Sequence, residues 1–324
     1  MNTAMRRLRH ALLVSLVLPA LALAQSYPTR PVTLVLPFPP GGLVDLVARR
    51  VSQKVSDDLK QPIVIESKAG GGGTIGPAYV KGAAADGYTL LMANNSTQAI
   101  NVSLMPKLQY DPVRDFAPIT MLVSTSHVLV VPQASPAKSV GSLIALAKAS
   151  PQGLTYASAG IGGGGHLLGE MLKTDAGIEL HHVPFKGAAP AMIEVLAGRI
   201  DLYFEAVALA VPRVKEGRIR ALATSARKRL PLLPEVPTMA EAGFPNVQAD
   251  AWFALFAPAG TPPAIVRRLN GAFGAALRDP EVARPLLENG LELIPGTPEK
   301  LGATVSADIA RYGKLIRAIG ATAE

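Results

Sequence analysis

Three times in this chain a short apolar run breaks into a glycine-rich loop that opens into a helical pattern, once over 62–66, Gly70 to Gly73 and 75–84 and twice in the units set out next, and few architectures accommodate that arrangement. The first unit is Pro31-Val32-Thr33-Leu34-Val35-Leu36, then Pro37-Phe38-Pro39-Pro40-Gly41-Gly42, then Leu43 to Leu59 with apolar residues at helical spacing. The second is Leu154 to Ser158, then Ala159-Gly160-Ile161-Gly162-Gly163-Gly164-Gly165, then a helix from His166 to Asp175. Such units predict an α/β fold with parallel strands, helices on both faces and ligand sites at the strand carboxyl ends.

The rest of the chain continues the alternation. Further strands are expected over 62–66, 88–93, 128–132, 181–185, 200–204, 219–224 and 252–257, and further helices over 75–84, 142–149, 189–198, 207–216, 263–278 and 300–319. Asn94-Asn95-Ser96-Thr97 reads as a polar loop closing the third strand, and the three prolines between Pro231 and Pro237 read as a surface loop. Residues 128–132 are expected to leave a first lobe and residues 252–257 to return to it.

The amino terminus reads as an export signal. Arg6, Arg7 and Arg9 precede an apolar stretch from Ala11 to Leu23, and Ala22-Leu23-Ala24 supplies small residues for cleavage after Ala24. That stretch is shorter than the roughly twenty residues a membrane span needs, and it contains Pro19. Arg6-Arg7-Leu8 is too little of a twin-arginine motif, so general secretion to the periplasm is the simpler expectation. Without the leader the formal charge falls from +8 to +5, which suits an anionic ligand, and no run of Lys or Arg interleaves with aromatics as a nucleic-acid surface would. With no cysteine, the exported chain must hold together by burying apolar surface. A mature chain of roughly 300 residues exceeds one core, so two lobes are expected, 27–126 plus 250–324 and 127–249, in a monomer.

Catalytic signatures are missing. There is no Gly-x-Ser-x-Gly elbow and no His pair at metal-binding spacing; His127 is isolated, and His181 and His182 alternate faces of one strand. Gly160-x-Gly162-x-x-Gly165 matches a dinucleotide fingerprint, but the next strand ends in Phe185-Lys186-Gly187, with no acid to hold a ribose. No cofactor and no metal are expected. The two glycine loops read better as anion cradles, because side-chain-free backbone and a helix amino terminus turn N–H groups toward a ligand.

The ordered segments that carry these loops resemble the substrate-binding proteins of tripartite tricarboxylate transporters, often called Bug receptors. The resemblance rests on Tyr27-Pro28-x-Arg30-Pro31, Pro37-Phe38-x-Pro40-Gly41-Gly42-x-x-Asp45, Ala85-Asp86-Gly87-Tyr88-Thr89-Leu90-Leu91, Thr155 to Gly160 with His166-Leu167, His182 to Gly187, Leu233-Pro234-x-Val236-Pro237-Thr238 and Pro258 to Pro262. It implies a periplasmic-binding-protein fold of type II, a small carboxylate held by loop amides, delivery to membrane transporter subunits, and no enzymatic activity. The alternative is a sensor that presents its ligand to a membrane signalling partner.

Carried onto this chain, the resemblance marks Phe38, Pro39, Pro40, Gly41 and Gly42 in the first lobe and Ala159, Gly160, Gly162, Gly163 and Gly164 in the second. Ser96 and Thr97 join them by topology. His166 opens the helix after the second loop, in a capping or packing role or against the ligand. Glu205 either meets an amino group or braces a loop. Asp45 is expected to accept N–H groups of its own loop rather than to meet an anion. Leu43-Val44 and Gly163 stand where relatives carry hydroxyls, and an Asn-Arg-Pro run is missing near Ser67-Lys68-Ala69. Those departures point to a ligand with one carboxylate end and a less polar body, aromatic or a longer aliphatic acid.

Overall fold

A computed structural model describes residues 27–319, so the leader and its cleavage site after Ala24 lie outside the described residues. Two sheets organise the chain. The first has the order β11 (Glu292–Leu293), β4 (Phe116–Thr125), β10 (Ala251–Pro258), β3 (Thr89–Asn94), β1 (Val32–Leu36), β2 (Ile63–Ser67). The second has the order β7 (Leu180–Pro184), β6 (Leu154–Ser158), β8 (Leu202–Ala206), β5 (His127–Pro132), β9 (Ile219–Thr224).

The all-parallel expectation needs correcting. β1 runs parallel to β2 and β3, and β6 to β7 and β8. The strands that carry the chain between sheets do not: β10 is antiparallel to both β3 and β4, and β5 to both β8 and β9. The reason is where they enter. β4 ends at the carboxyl edge of the first sheet and passes through Ser126 straight into β5, while β10 comes back across the same gap. Each crossing strand therefore starts at the edge where its neighbours finish and must run against them.

Helices cover both faces of each sheet. Helix α1 (Leu43–Leu59) and α8 (Pro263–Arg278) bury Val47, Val51, Leu269 and Phe273 on one face of the first sheet. On its other face Tyr110, Phe116, Trp252 and Phe256 pack with Val80 of α2 (Ile75–Lys81) and with Leu301 and Val305 of the helix Pro298–Ile319. In the second sheet, α4 (Val140–Ala149) and α5 (Gly164–Ala176) cover Tyr156 and Phe204, while α6 (Ala188–Leu196) and α7 (Val207–Lys215) cover Val128, Val130 and Tyr203.

Several elements escaped the sequence pattern. β4 is a ten-residue strand whose Pro118 interrupts the expected alternation; it is tolerated because the register with β10 shifts at that point. The helix Pro280–Glu288 follows an Asp279 cap that accepts the N–H of Glu281 at 2.9 Å. The proline-rich loop over 231–237 is not purely surface either, since Leu233 and Val236 are buried in the second lobe's core.

Gly169 shows how tightly α5 lies on its sheet: a Cβ there would fall 2.2 Å from Cε2 of the fully buried Tyr156. Tyr156 has no room to yield, because its ring stacks against His182 and its hydroxyl donates to Glu170. Gly169→Ala is therefore expected to cost about 1–3 kcal/mol despite the better helix propensity of alanine, read by chemical denaturation.

Candidate functional site

At the carboxyl end of β1 the chain turns through Pro37 to Gly42 into α1. Pro39, Pro40 and Gly41 are exposed on the rim, Phe38 is half-buried, and the carbonyl of Phe38 accepts from Ser67 Oγ at 2.8 Å. Gly42 caps α1 without a side chain, and the loop is tied from inside the helix instead: the Gly41 N–H donates to Asp45 Oδ2 at 3.1 Å, and Arg49 Nε reaches the same carboxylate at 3.0 Å. Asp45 thus holds its own loop, as expected from the sequence. Burial works against its charge, but Arg49 and the Gly41 N–H outweigh it and hold the carboxyl below its ordinary range.

The second loop is tied in the same manner, from beneath. Gly160 N–H donates to Ser158 Oγ (3.2 Å), Gly162 N–H to His166 Nδ1 (3.1 Å), and Gly163 N–H to the Gly160 carbonyl (3.2 Å). The exposed Ala159 offers its carbonyl to Gly187 N–H. Gly160 and Gly162 have φ of +142° and +78°, which a side chain would strain. Gly164 and Gly165 are required for a different reason, close approach: a Cβ on Gly164 would lie 2.5 Å from the His127 ring and one on Gly165 2.7 Å from the Phe204 carbonyl oxygen.

This changes which main-chain donors remain. Gly41, Gly160, Gly162 and Gly163, singled out from the sequence, already give their N–H groups to the protein. In the two loops the amides of Phe38, Gly42, Ala159 and Ile161 have no protein acceptor, and neither do those of the first helical turns that follow, Leu43, Val44 and Asp45 in α1 and Gly164, Gly165 and His166 in α5. The Leu43 and Val44 side chains are buried in the core, so that turn offers backbone donors alone.

The two loop regions meet through direct contacts. Ser96 and Thr97, expected in a polar loop, instead lie in a wide helical turn, Ser96–Ile100, that leads into α3 (Asn101–Leu104) and is wholly buried. Ser96 Oγ donates to the Gly162 carbonyl at 2.8 Å, from one sheet's unit to the other's, while Thr97 Oγ1 turns back to the Asn94 carbonyl. A Cβ on Gly73 would lie 3.0 Å from Phe38 Cζ and 2.9 Å from Thr97 Cγ2, and one on Gly72 3.8 Å from the Ile161 carbonyl. An apolar seam accompanies these contacts, with Ile161 and Leu167 of the second unit packed among Ile100, Leu104, Tyr312 and Ile316.

His166 is buried and serves the loop through Nδ1. Glu205, at the end of β8, is 3% exposed and accepts the N–H of Ala206 at 2.8 Å. Burial pushes its carboxyl up to about 8 against the pull of the Ala206 N–H, Arg213 and Tyr203, so it is protonated at neutral pH and a poor partner for an ammonium group. Sequence reasoning missed His127. It is buried at the start of β5 against Gly164, with no partner for Nδ1, and burial lowers it to about 4. No local pattern marks it, since its place depends on the crossing strand. Among the described residues no cluster of three or more His, Asp or Glu is arranged for a metal ion.

Two lobes built on mixed sheets, joined by crossing strands and each carrying unpaired helix amides after a glycine loop at a strand carboxyl end, define a two-lobed solute-binding protein. The chain belongs to the tripartite tricarboxylate transporter family receptors, whose family model matches residues 47–321. It is 36% identical to the protein BugT of Bordetella pertussis over 299 residues, 92% of each chain. Among solved structures it resembles Rpa4515 of Rhodopseudomonas palustris with adipate (36% identity, TM-score 0.88, 91% of this chain and 99% of that one). It also resembles MatC of the same species with bound malate (35% identity, TM-score 0.85, 90% and 100%).

Removing the Asp45 carboxylate, as in Asp45→Ala, is expected to destabilise the protein by about 1 kcal/mol at pH 7. Because this carboxyl is held below its ordinary value, its contribution is present above about pH 4 and fades as the pH falls through the lowered value. Denaturation of wild type and variant at several pH values should show the gap closing only on the acid side.

Proposed function

We propose that the protein captures a small organic acid between a lobe formed by 27–126 with 250–324 and a lobe formed by 127–249, and delivers it in the periplasm to the membrane subunits of a tripartite tricarboxylate-type transporter. Its export follows cleavage after Ala24, and it acts as a monomer without chemistry of its own. The observation that carries the reading is the pair of unpaired helix amino termini, α1 at Leu43–Asp45 and α5 at Gly164–His166, each after a glycine loop at the carboxyl end of a strand, one in each sheet; the reading sets them on opposite sides of one crevice. Each combines converging N–H groups with partial positive charge, which matches a carboxylate.

The ligand follows from the same geometry. Two donor-rich helix ends, one from each lobe, fit an acid that is anionic at both ends and apolar between them, a revision of the single carboxylate end expected from the sequence, and adipate is the probe of that class, being the ligand in one relative. The single contact that resembles a nucleophile and base, Ser158 Oγ to His182 Nε2 at 2.6 Å, supports no hydrolase: Ser158 is fully buried and its oxygen is already bound to Gly160.

Calorimetry with adipate, malate, citrate and benzoate tests the reading, alongside incubation of each acid with the protein. Saturable binding of adipate without product is expected. Citrate bound far more tightly than the others would overturn the ligand class, and turnover would overturn the binding-protein reading. Ser96→Ala should weaken adipate about fivefold, because the closed form loses one cross-lobe hydrogen bond.

A further inference from the structure

Beneath the second glycine loop, three rings form a stack that the ligand site itself does not use. Tyr156 of β6 and His182 of β7 lie 4.8 Å apart, and His182 and His166 of α5 lie 4.2 Å apart at 22°. Register places Tyr156 directly opposite His182, so neighbouring strands build the stack, and α5 lays His166 on top. Each imidazole then grips a different point of the loop above. His182 Nε2 meets Ser158 Oγ at 2.6 Å, and that oxygen both donates to the Gly160 carbonyl (3.0 Å) and accepts the Gly160 N–H (3.2 Å). His166 Nδ1 accepts the Gly162 N–H (3.1 Å), and the Gly162 carbonyl is what Ser96 of the opposite lobe bonds.

We propose that His166 and His182 are a stacked pair of positioning residues that set the path of Gly160–Gly162, and through it both the aim of the first-turn amides of α5 and the seat of the cross-lobe bond from Ser96. The proposal rests on the crevice reading above and adds a regulator to it. Nδ1 of His166 accepts a hydrogen bond only while it is unprotonated; a proton there would face the Gly162 N–H head-on. Two charged rings at 4.2 Å would repel each other as well. The groups that face the pair are Tyr156 and Ser158 from β6 and Glu170 from α5. Among the described residues Glu170 is the one charge that favours a protonated His166, and burial outweighs it. Burial, reinforced by His166, takes His182 down to about 3.

The sign of the pH dependence follows. In a loop released from the stack the rings return toward their ordinary value near 6.5, so protons favour the released state below that pH. The ordered loop is fully held above about pH 6.5 and is progressively lost as the pH falls toward the lowered values.

Adipate affinity measured by calorimetry from pH 7.5 to pH 5.5 should fall about tenfold: two imidazoles with ordinary values near 6.5 shift the ordering equilibrium by about a hundredfold over this range, and a loop held about ten to one at pH 7.5 passes on about a tenth of that shift. His166→Asn retains an acceptor where Nδ1 sits, and His182→Gln retains a partner where Nε2 sits. Whatever its affinity at pH 7.5, the double variant should lose most of the pH dependence. A wild-type affinity that is flat over this range overturns the proposal, as does a double variant that keeps the full fall. Absence of adipate binding at every pH would instead count against the crevice reading, and the ligand-free protein then decides the proposal by itself. In its NMR spectra the amide signals of Gly160 and Gly162 should move only as His166 and His182 titrate, well below pH 6.5. Rings that titrate near 6.5 with those amides unmoved would overturn it whether or not either variant folds.

Discussion

The peptide unit around Gly162 is held from both lobes at once. Its N–H goes down to His166 and its carbonyl goes across to Ser96, and a Cβ at that position would collide with Leu104 at 2.7 Å. A glycine is therefore needed for two reasons, a φ of +78° and the thickness of the joint. The neighbouring Gly164 and Gly165 let α5 begin in contact with His127 and the end of β8. With side chains there, the amino terminus of α5 would be lifted off the sheet edge.

Around the proposed crevice the buried titratable groups are arranged to carry no charge at neutral pH. Burial keeps His127 at about 4 and His182 at about 3, lowers His166 as well, and holds Glu205 protonated at about 8. Asp45 does keep its charge, but that charge is absorbed by Arg49 and the Gly41 N–H. In the proposed site, attraction for an anion would then be left to the helix ends and their N–H groups, which provide directed partial charge without an ion that would have to be desolvated. A site of this kind grips by geometry and releases without breaking a buried salt bridge.

Much of this was legible from sequence wherever the determinant is local. The limits of α1 and α8, and of β6 and β9, fall where periodicity, Gly-Pro punctuation and strand composition place them. The glycine loops were recognisable for the same reason, and the tie from Asp45 to its own loop was readable from its position one turn into the helix. What was not legible depends on residues far apart in the chain. The antiparallel direction of β5 and β10 follows from their entry edge, which no local window contains. The choice of free amides could not be read either, because Gly160 and Gly162 are satisfied by Ser158 and His166, partners that appear only once the loop folds back on its own helix. His127 gains its place from the crossing strand, and the polar run Asn95 to Thr97 is buried because the carboxyl-terminal helix, through Tyr312 and Ile316, packs over it.

That helix also sets how firmly the lobes are joined. Asn95 donates to both the Tyr312 hydroxyl (3.0 Å) and the Asp250 carbonyl (3.1 Å), which ties the wide helical turn to the return crossing at the start of β10. Beside it, burial of Leu167 between the lobes is worth about 2 kcal/mol, and the Ser96 to Gly162 bond about 1 kcal/mol. Interactions of this size favour the closed arrangement without making it irreversible, since ordering two lobes against each other costs a comparable amount. A ligand then shifts the balance only by what it gains from the closed form beyond the open one. In the proposed site, amides presented from both lobes would provide that difference, because an acid that reached both helix ends would gain its second set of donors only on closure.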